Sequence, residues 1–260
     1  MPHRPNPPSP SPASSRPRAS TRHLALAAAL AAGALLTTAC APWRLWSTAE
    51  LARDAQPFTA HPRQPTRRVL VVGDSTGVGT GATSPAQSLP GLMGQHHPQW
   101  HIDNLAANGA RFADVVQQLE RAEPGYDLVL VLAGGNDVIR FTRPDTLRPQ
   151  VQRTVALARQ KGERVVMMPC GDVGHAPFFA PPLSWVMSHR SETLHTLVQQ
   201  VASGQQVRYV RLLRPRSEDP FVARSKELHA ADGLHPSSAG YEEWYRELVA
   251  QGGLAGMGHP

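Results

Sequence analysis

The sequence predicts a three-layer α/β/α sandwich built on a doubly wound, mainly parallel sheet of five strands. Short apolar runs alternate with longer helix-like stretches from Arg67 onward, and this alternation is typical of a parallel sheet covered by helices on both faces. The chain has 260 residues, of which 41% are hydrophobic and 18% are charged. That composition suffices for one large domain and argues against a disordered chain.

Each predicted strand is an apolar run of strand length. In chain order the strands are Val69–Val72, Trp100–Leu105, Asp127–Leu132, Arg164–Met168 and Val207–Leu212. The first runs into Gly73, the second is followed by Asn108-Gly109, and the third by Gly134-Gly135. Such Gly-containing segments mark the turns at which parallel strands end.

The stretches between and after the strands have the length and pattern of helices. They are Ala86–His96, Phe112–Ala122, Thr146–Lys161, Ser184–Ala202 and Ala239–Ala250. The last follows Ser237-Ser238, which supplies a hydroxyl for a helix N-cap. The expected folded domain therefore spans 67–252, with a flexible tail at 253–260.

The net charge of +6 does not indicate nucleic-acid binding, because it is concentrated in the leader. The first 40 residues contain four arginines and no acidic residue, so a charge of +2 remains for the rest of the chain. No basic run follows position 68. We therefore expect no nucleic-acid partner.

Residues 1–39 resemble a bacterial secretory signal. A basic, proline-rich start is followed by the uncharged apolar run Leu24–Leu36 and by small residues up to Cys40. This run is too short for a membrane span. Small residues before Cys40 resemble the lipobox of bacterial lipoproteins, in which that cysteine is lipidated and becomes the mature N-terminus. A plain signal peptide with an incidental cysteine is the alternative.

Lipidation at Cys40 implies a cell-envelope protein that is periplasmic or anchored to the membrane. Residues 41–66 contain four prolines and are expected to form a tether to the domain. Cys170 is then the only other cysteine, so the mature chain can form no internal disulfide. We expect Cys170 to be a buried core residue.

Four polar segments fall at strand ends or after the last strand. They are Gly73-Asp74-Ser75, Asn108-Gly109, Gly134-Gly135-Asn136-Asp137 and Asp232-Gly233-Leu234-His235. In a doubly wound sheet the loops beyond the carboxyl ends of the strands form one crevice. Taken singly, each segment is explained by a turn or a helix cap, but their joint placement predicts a site.

Their residue types suit acyl transfer. Ser75 can act as nucleophile, His235 as its base, and Asp232 as the group that orients His235. The backbone N–H groups of Ser75 and Gly109 and the side-chain amide of Asn136 can donate to an oxyanion.

At these residues the chain resembles the SGNH, or GDSL-type, esterase and lipase family, over residues 67–250. The four blocks occur in the family's order, but Thr76 replaces the Leu of the GDSL name and the second block is reduced to Asn108-Gly109. The resemblance implies a flavodoxin-like fold and a serine esterase with the triad Ser75, Asp232 and His235. It implies an oxyanion hole from Ser75, Gly109 and Asn136.

The rival interpretation is a dinucleotide site. Gly77–Ala82 matches Gly-x-Gly-x-x-Ala, and Asp103 lies 21 residues further on. However, the first glycine is separated from the strand end by Gly73–Thr76, and this interpretation leaves Asn136 and His235 without a role. We therefore expect no cofactor, and the scattered histidines predict no metal site.

The apolar segment 174–187 is the candidate for an acyl-binding region. Phe178, Phe179 and Trp185 are its aromatic residues, and they could either line the crevice or anchor a loop to the core. The expected substrate is a small-molecule, lipid or carbohydrate ester. An acyltransferase of the same fold and a non-catalytic envelope-binding module remain as alternatives.

Overall fold

The fold was analysed in a computed structural model that describes residues 46–205 and 207–254. Five strands form one sheet, and all neighbouring pairs are parallel. The strands are β1 (Arg67–Gly73), β2 (Trp100–Asn104), β3 (Tyr126–Leu132), β4 (Gly162–Met167) and β5 (Arg208–Tyr209), in the spatial order β2-β1-β3-β4-β5. The predicted doubly wound α/β sandwich is confirmed.

Helices connect and cover the strands. Residues 46–54 form α1. The helices that follow it in chain order are α2 (Ser75–Val78), α3 (Leu89–His96), α4 (Phe112–Arg121), α5 (Gly135–Ile139), α6 (Pro144–Lys161), α7 (Leu183–Ser203), α8 (Pro220–Ala223), α9 (Ser225–Leu228) and α10 (Ser238–Gly252). The five predicted helices correspond to α3, α4, α6, α7 and α10. Helices α2, α5, α8 and α9 were not predicted, because a helix of four or five residues carries little periodicity. Helix α1 was not predicted, because its residues fall in the proline-containing stretch that was expected to be a tether.

Alternate residues of β1 enter two separate hydrophobic cores, as the two-residue period of a strand requires. Leu70 and Val72 pack with residues of α4, α6 and α7 on one face. Val69 and Val71 pack with residues of α3 and α10 on the other. Both faces of the sheet are therefore covered, which explains why the central strands are almost entirely apolar.

The register of the sheet places two loops side by side. Gly73 at the end of β1 pairs with Leu132 at the end of β3, so the segments that follow these strands leave the sheet at the same level. The chain order also reverses at β1, which lies between β2 and β3. Such a switch point opens a crevice beyond the carboxyl ends of the strands.

The expected boundaries of the domain need correction at both ends. The tether was expected at 41–66, but in its described part, 46–66, α1 is helical, Ala60 forms an antiparallel bridge with Ile102, and Phe58 packs against the core. At the other end, Leu254 is buried in the same core, so the predicted tail does not begin at position 253. Apolar side chains of both segments therefore pack with the core of the domain.

The predicted signal peptide and Cys40 lie outside the described residues, as do positions 255–260. Among the helices of residues 46–205 and 207–254, none has the length and apolar character needed to cross a membrane.

Candidate active site

Ser75 begins helix α2, which follows β1 after a sharp turn. The turn is fixed at Asp74, whose backbone N–H donates to the Leu132 carbonyl at 2.8 Å. The Asp74 side chain caps α2 by accepting from the Thr76 N–H at 2.9 Å and the Thr76 hydroxyl at 2.7 Å. These contacts hold the backbone of Ser75 in one position beside the end of β3.

The sequence-predicted Ser75, His235 and Asp232 form one hydrogen-bonded chain. The Oγ of Ser75 lies 2.9 Å from Nε2 of His235. Nδ1 of the same ring lies 2.6 Å from Oδ2 of Asp232. All three side chains are buried: Asp232 is 1% exposed, and Ser75 and His235 are each 8% exposed.

The protonation of Asp232 decides which nitrogen of His235 carries the proton. Burial by itself raises the pKa of Asp232, but hydrogen bonds and charge from His235 and the backbone N–H of Leu234 outweigh it and lower the pKa below its usual value. An ionised carboxylate only accepts, so Nδ1 of His235 donates to Asp232. Nε2 is then the acceptor of the Ser75 hydroxyl proton.

The loop that carries His235 is closed by a backbone hydrogen bond of its own and lies against the segment that follows α2. The carbonyl of His235 accepts from the Ala230 N–H at 2.8 Å. Gly81, with a φ of +95°, approaches this loop so closely that a Cβ there would lie 2.4 Å from the Pro236 carbonyl oxygen. Gly81 therefore allows the segments that carry Ser75 and His235 to pack closely together.

Gly109 and Asn136 lie beside Ser75 in the same cavity. Gly109 has a φ of +77°, a conformation that side chains other than glycine rarely adopt. The Asn136 side chain donates one N–H to the Ala110 carbonyl at 3.2 Å. A carboxamide has two N–H donors, so the second is available to a ligand.

The cavity next to Ser75 has a volume of about 420 Å³. Its polar end is formed by the residues described above. Apolar side chains form much of the remaining wall, namely Ile139, Val173, Ala176, Leu212, Phe221, Leu234 and Trp244. A cavity of this size and character suits a small or medium-sized neutral molecule.

The predicted acyl-binding aromatics do not line this cavity, so that interpretation of segment 174–187 is not supported. Trp185 lies on α7 and is 69% exposed. Phe179 packs against the hydrophobic core, and the backbone N–H of Phe178 donates to the Gly233 carbonyl at 2.9 Å. Phe178 thus contacts the loop of Asp232 and His235 through its backbone, whereas Val173 and Ala176 line the cavity.

Helix α1 is the part of the site that sequence reasoning missed. Thr48, Ala49 and Ala52 line the cavity, and the Ala52 carbonyl accepts from the Asn108 side chain at 2.7 Å. The small residues at positions 49 and 52 are spaced as on one face of a helix. That spacing was the available signal, but it is too short and common to indicate a site.

A second buried histidine network supports the cavity wall. Nδ1 of His175 lies 2.6 Å from Oδ2 of Asp219, and Nε2 lies 3.5 Å from Oδ2 of Asp172. Asp172 and Asp219 both line the cavity. The ring joins the loop after β4 to the segment that begins α8, so it fixes two walls of the cavity relative to each other.

Cys170 also lines the cavity and contacts both cores. Burial, together with the carboxylates of Asp74 and Asp172, raises the pKa of its thiol well above the usual range. A thiol in this state is a poor nucleophile. Cys170 is half-buried and borders the cavity, so the expectation of a buried core residue is met only in its packing against the two cores.

Comparisons with known proteins show the family to which the chain belongs. Residues 71–243 match the model of the GDSL-like lipase/acylhydrolase family. A GDSL-like esterase of Mycobacterium tuberculosis is 29% identical over 200 residues, which are 71% of this chain and 59% of that protein. An arylesterase of Vibrio mimicus is 26% identical over 201 residues, covering 72% of this chain and 88% of that protein.

A solved structure of TesA shares the fold. It has a TM-score of 0.56 and 22% identity, over 71% of this chain and 97% of the other. The matched family segment begins inside β1 and ends inside α10, so it includes Ser75, Asn136, Asp232 and His235. The chain belongs to the GDSL-like lipase/acylhydrolase family, a family of ester-hydrolysing enzymes also known as SGNH hydrolases.

Proposed function

We propose that this protein is a serine esterase that hydrolyses carboxylic esters through Ser75, His235 and Asp232. The observation that carries the proposal is the continuous hydrogen-bonded chain from Ser75 Oγ through His235 to Asp232. It ends in a cavity that is otherwise largely apolar. This arrangement provides a nucleophile, a base and an orienting carboxylate within hydrogen-bond distance of each other.

In the acylation half-reaction, the Ser75 oxygen attacks the ester carbonyl carbon while Nε2 of His235 takes the hydroxyl proton. Asp232 stabilises the imidazolium that forms. As the tetrahedral intermediate collapses, the bond to the alcohol oxygen breaks and His235 returns the proton to that oxygen. The products of this step are the free alcohol and an acyl ester on Ser75.

In the deacylation half-reaction, water attacks the acyl carbon and gives a proton to Nε2 of His235. The bond to Ser75 then breaks, and His235 returns the proton to the serine oxygen. The carboxylic acid leaves, and the starting state is restored.

The charge on the carbonyl oxygen needs donors at both tetrahedral stages. We assign this role to the backbone N–H groups of Ser75 and Gly109 and to the free N–H of Asn136, all of which belong to residues lining the cavity. Each such donor contributes about 3–4 kcal/mol to the stability of the transition state. No metal or cofactor is part of this mechanism.

The cavity favours uncharged esters with a small or medium-sized apolar group. Apolar residues such as Phe221, Leu212 and Trp244 can contact that group. The related Vibrio mimicus protein is an arylesterase, so aryl esters are suitable first substrates. A series of p-nitrophenyl esters of increasing acyl length measures the preference directly.

The triad is tested with a fluorophosphonate probe and with ester turnover. Ser75→Ala is expected to abolish both probe labelling and turnover without changing the melting temperature greatly. Ser184→Ala, which replaces a buried serine on α7, is the matched control and should retain both. If Ser75→Ala keeps most of its turnover, the proposal is wrong.

Probe labelling and turnover, repeated with and without an acceptor, also separate the esterase from an acyltransferase and from a non-catalytic binding module. A chain that is labelled at Ser75 but forms product only when a sugar or cell-wall acceptor is present is an acyltransferase. A folded chain that is neither labelled nor active is a binding module. In both outcomes the esterase proposal is lost.

We also propose that the protein is exported and attached to the cell envelope through a lipid on Cys40. The proposal is supported by the apolar run and the small residues before that cysteine. Two or more acyl chains suffice for stable attachment to a membrane. Incorporation of labelled palmitate by the native chain, and its loss in Cys40→Ser, tests this independently of the esterase activity.

A further inference from the structure

His61, His101 and Asp103 form a cluster on the outer edge of the sheet, on strand β2 and the segment before β1. Metal ions are bound by the side chains of His, Cys, Asp and Glu. In the part of the chain that the structure describes, this is the one group of three or more of these side chains whose ligand atoms all lie within 4.8 Å of one another. None of the three lines the cavity of Ser75. The proposed esterase mechanism therefore leaves the cluster without a function.

The backbone explains why the three side chains share one face. Ala60 and Ile102 form an antiparallel bridge, with hydrogen bonds of 3.1 and 2.8 Å. In such a pair the next residues, His61 and His101, lie opposite each other. His101 and Asp103 are two positions apart on β2, so they point to the same face of the strand.

The distances between the ligand atoms are those of a metal site. Nδ1 of His61 lies 3.3 Å from Nε2 of His101 and 4.0 Å from Oδ1 of Asp103. Nε2 of His101 lies 3.0 Å from Oδ2 of Asp103. Tetrahedral zinc with bonds of about 2.0–2.1 Å separates its ligand atoms by about 3.3 Å.

Asp103 is also held in place from the other side. The hydroxyl of Tyr126, on β3, donates to Oδ2 of Asp103 at 2.8 Å. Carboxylates that bind metals are commonly oriented by such hydrogen bonds. One side of the cluster faces solvent, because His61 is exposed, and a water molecule can occupy the fourth position of a tetrahedral ion.

We propose that His61, His101 and Asp103 bind one divalent transition-metal ion, with Zn²⁺ the best match to two imidazoles and one carboxylate. Neutral imidazole and ionised carboxylate supply the electron pairs, and no redox change is involved. The bound ion would join the segment before β1 to strand β2. The segment directly follows α1, whose residues line the cavity. The ion would therefore hold the C-terminal side of α1 close to strand β2.

The proposal is tested by titrating the purified chain, free of any polyhistidine tag, with ZnSO₄ in a calorimeter. One saturable site is expected. It should be lost in His61→Ala and in His101→Ala, and Tyr126→Phe should weaken it by about 10- to 100-fold. His189→Ala removes an exposed histidine near Glu192 on α7 and should leave the site unchanged.

Hydrogen exchange gives a second measurement. Zn²⁺ is expected to slow exchange of the Ala60 and Ile102 amides, which close the bridge, in the native chain and in His189→Ala but not in His61→Ala. His61 is exposed, so its removal leaves the fold intact. Absence of saturable binding up to millimolar Zn²⁺, or binding that His61→Ala and His101→Ala leave unchanged, overturns the proposal.

Discussion

Asp232 contacts His235 through both of its carboxylate oxygens. Oδ2 accepts from the imidazole at 2.6 Å, while Oδ1 accepts from the backbone N–H of His235 at 3.1 Å and of Leu234 at 2.9 Å. The carboxylate therefore has no freedom to rotate without losing hydrogen bonds. This arrangement determines what each substitution of Asp232 does to the proton on His235.

Asp232→Asn is expected to be more harmful than Asp232→Ala. The new carbonyl oxygen must occupy the Oδ1 position to accept the two backbone N–H groups, so the new NH₂ faces Nδ1 of His235. Nδ1 then becomes an acceptor and the ring proton moves to Nε2, where it blocks proton transfer from Ser75. A wrong tautomer of this kind costs about 10⁴-fold in kcat.

Asp232→Ala leaves both tautomers of His235 accessible, so part of the activity remains. The measurement is kcat for a p-nitrophenyl ester with both variants, each checked for its fold by circular dichroism. Equal loss in the two variants, or greater loss in Asp232→Ala, would show that Asp232 does not control the tautomer.

A second prediction concerns the stability of the fold at different pH. Burial raises the pKa of Asp74 to about 6 from the usual 3.8, although hydrogen bonds from Thr76 and the charge of His235 oppose the shift. Folding therefore favours the protonated acid. This contribution to stability is fully present below about pH 4 and is lost as the pH rises through about 6.

Asp74→Asn removes this loss, because the amide is neutral and its oxygen still accepts from Thr76. Relative to the native chain, the variant should gain up to about 3 kcal/mol of stability between pH 4 and pH 7. Thr76→Val removes the hydroxyl that donates to the Asp74 carboxylate. It should therefore lower the stability relative to the native chain above pH 6, where Asp74 is ionised. Urea unfolding across this pH range measures both, and a pH-independent difference for Asp74→Asn contradicts the prediction.

The features that could be predicted from the sequence were those that depend on a short stretch of neighbouring residues. The strands were found because apolar runs stop at glycine-rich turns, and the candidate triad because Ser75, Asp232 and His235 each follow a recognisable strand or turn. Helix α1 was not predicted, since its position over the cavity depends on a tertiary contact between Asn108 and the Ala52 carbonyl. Hydrophobicity alone does not tell whether an aromatic residue lines a cavity or packs in the core. Phe179 was a candidate for the cavity wall, but it packs against the hydrophobic core.

Helix α1 gives a third prediction, about substrate size. Ala52 lines the cavity, so Ala52→Phe should fill part of it and reject long acyl groups more than acetyl groups. A steric contact of this kind is worth about 1–3 kcal/mol, or about 10- to 200-fold in kcat/KM. Glu50 lies on the same helix but does not line the cavity, so Glu50→Phe serves as the control.

The readout is the ratio of kcat/KM for p-nitrophenyl acetate and octanoate in both variants. A selectivity change in Ala52→Phe alone places α1 beside the acyl group. The same change in Glu50→Phe, or none in Ala52→Phe, would mean that α1 does not border the bound acyl chain.

The last prediction separates oxyanion stabilisation from structural support at Asn136. The side chain donates one N–H to the Ala110 carbonyl at 3.2 Å, and the proposed mechanism assigns its second N–H to the developing negative charge. Asn136→Ala is therefore expected to lower the acylation rate by about 10²–10³-fold. KM should change little, because the donor contributes most when charge develops in the transition state.

Asn136→Asp should be at least as harmful, because it replaces the donor with a negative charge facing the oxyanion. A purely structural Asn136 gives a different pattern, since loss of its contact with Ala110 would lower the melting temperature while each folded molecule keeps near-normal turnover. Melting temperature and pre-steady-state acylation are therefore measured on the same preparation of Asn136→Ala. An unstable but fully active variant would remove Asn136 from the oxyanion hole and leave that task to the backbone of Ser75 and Gly109.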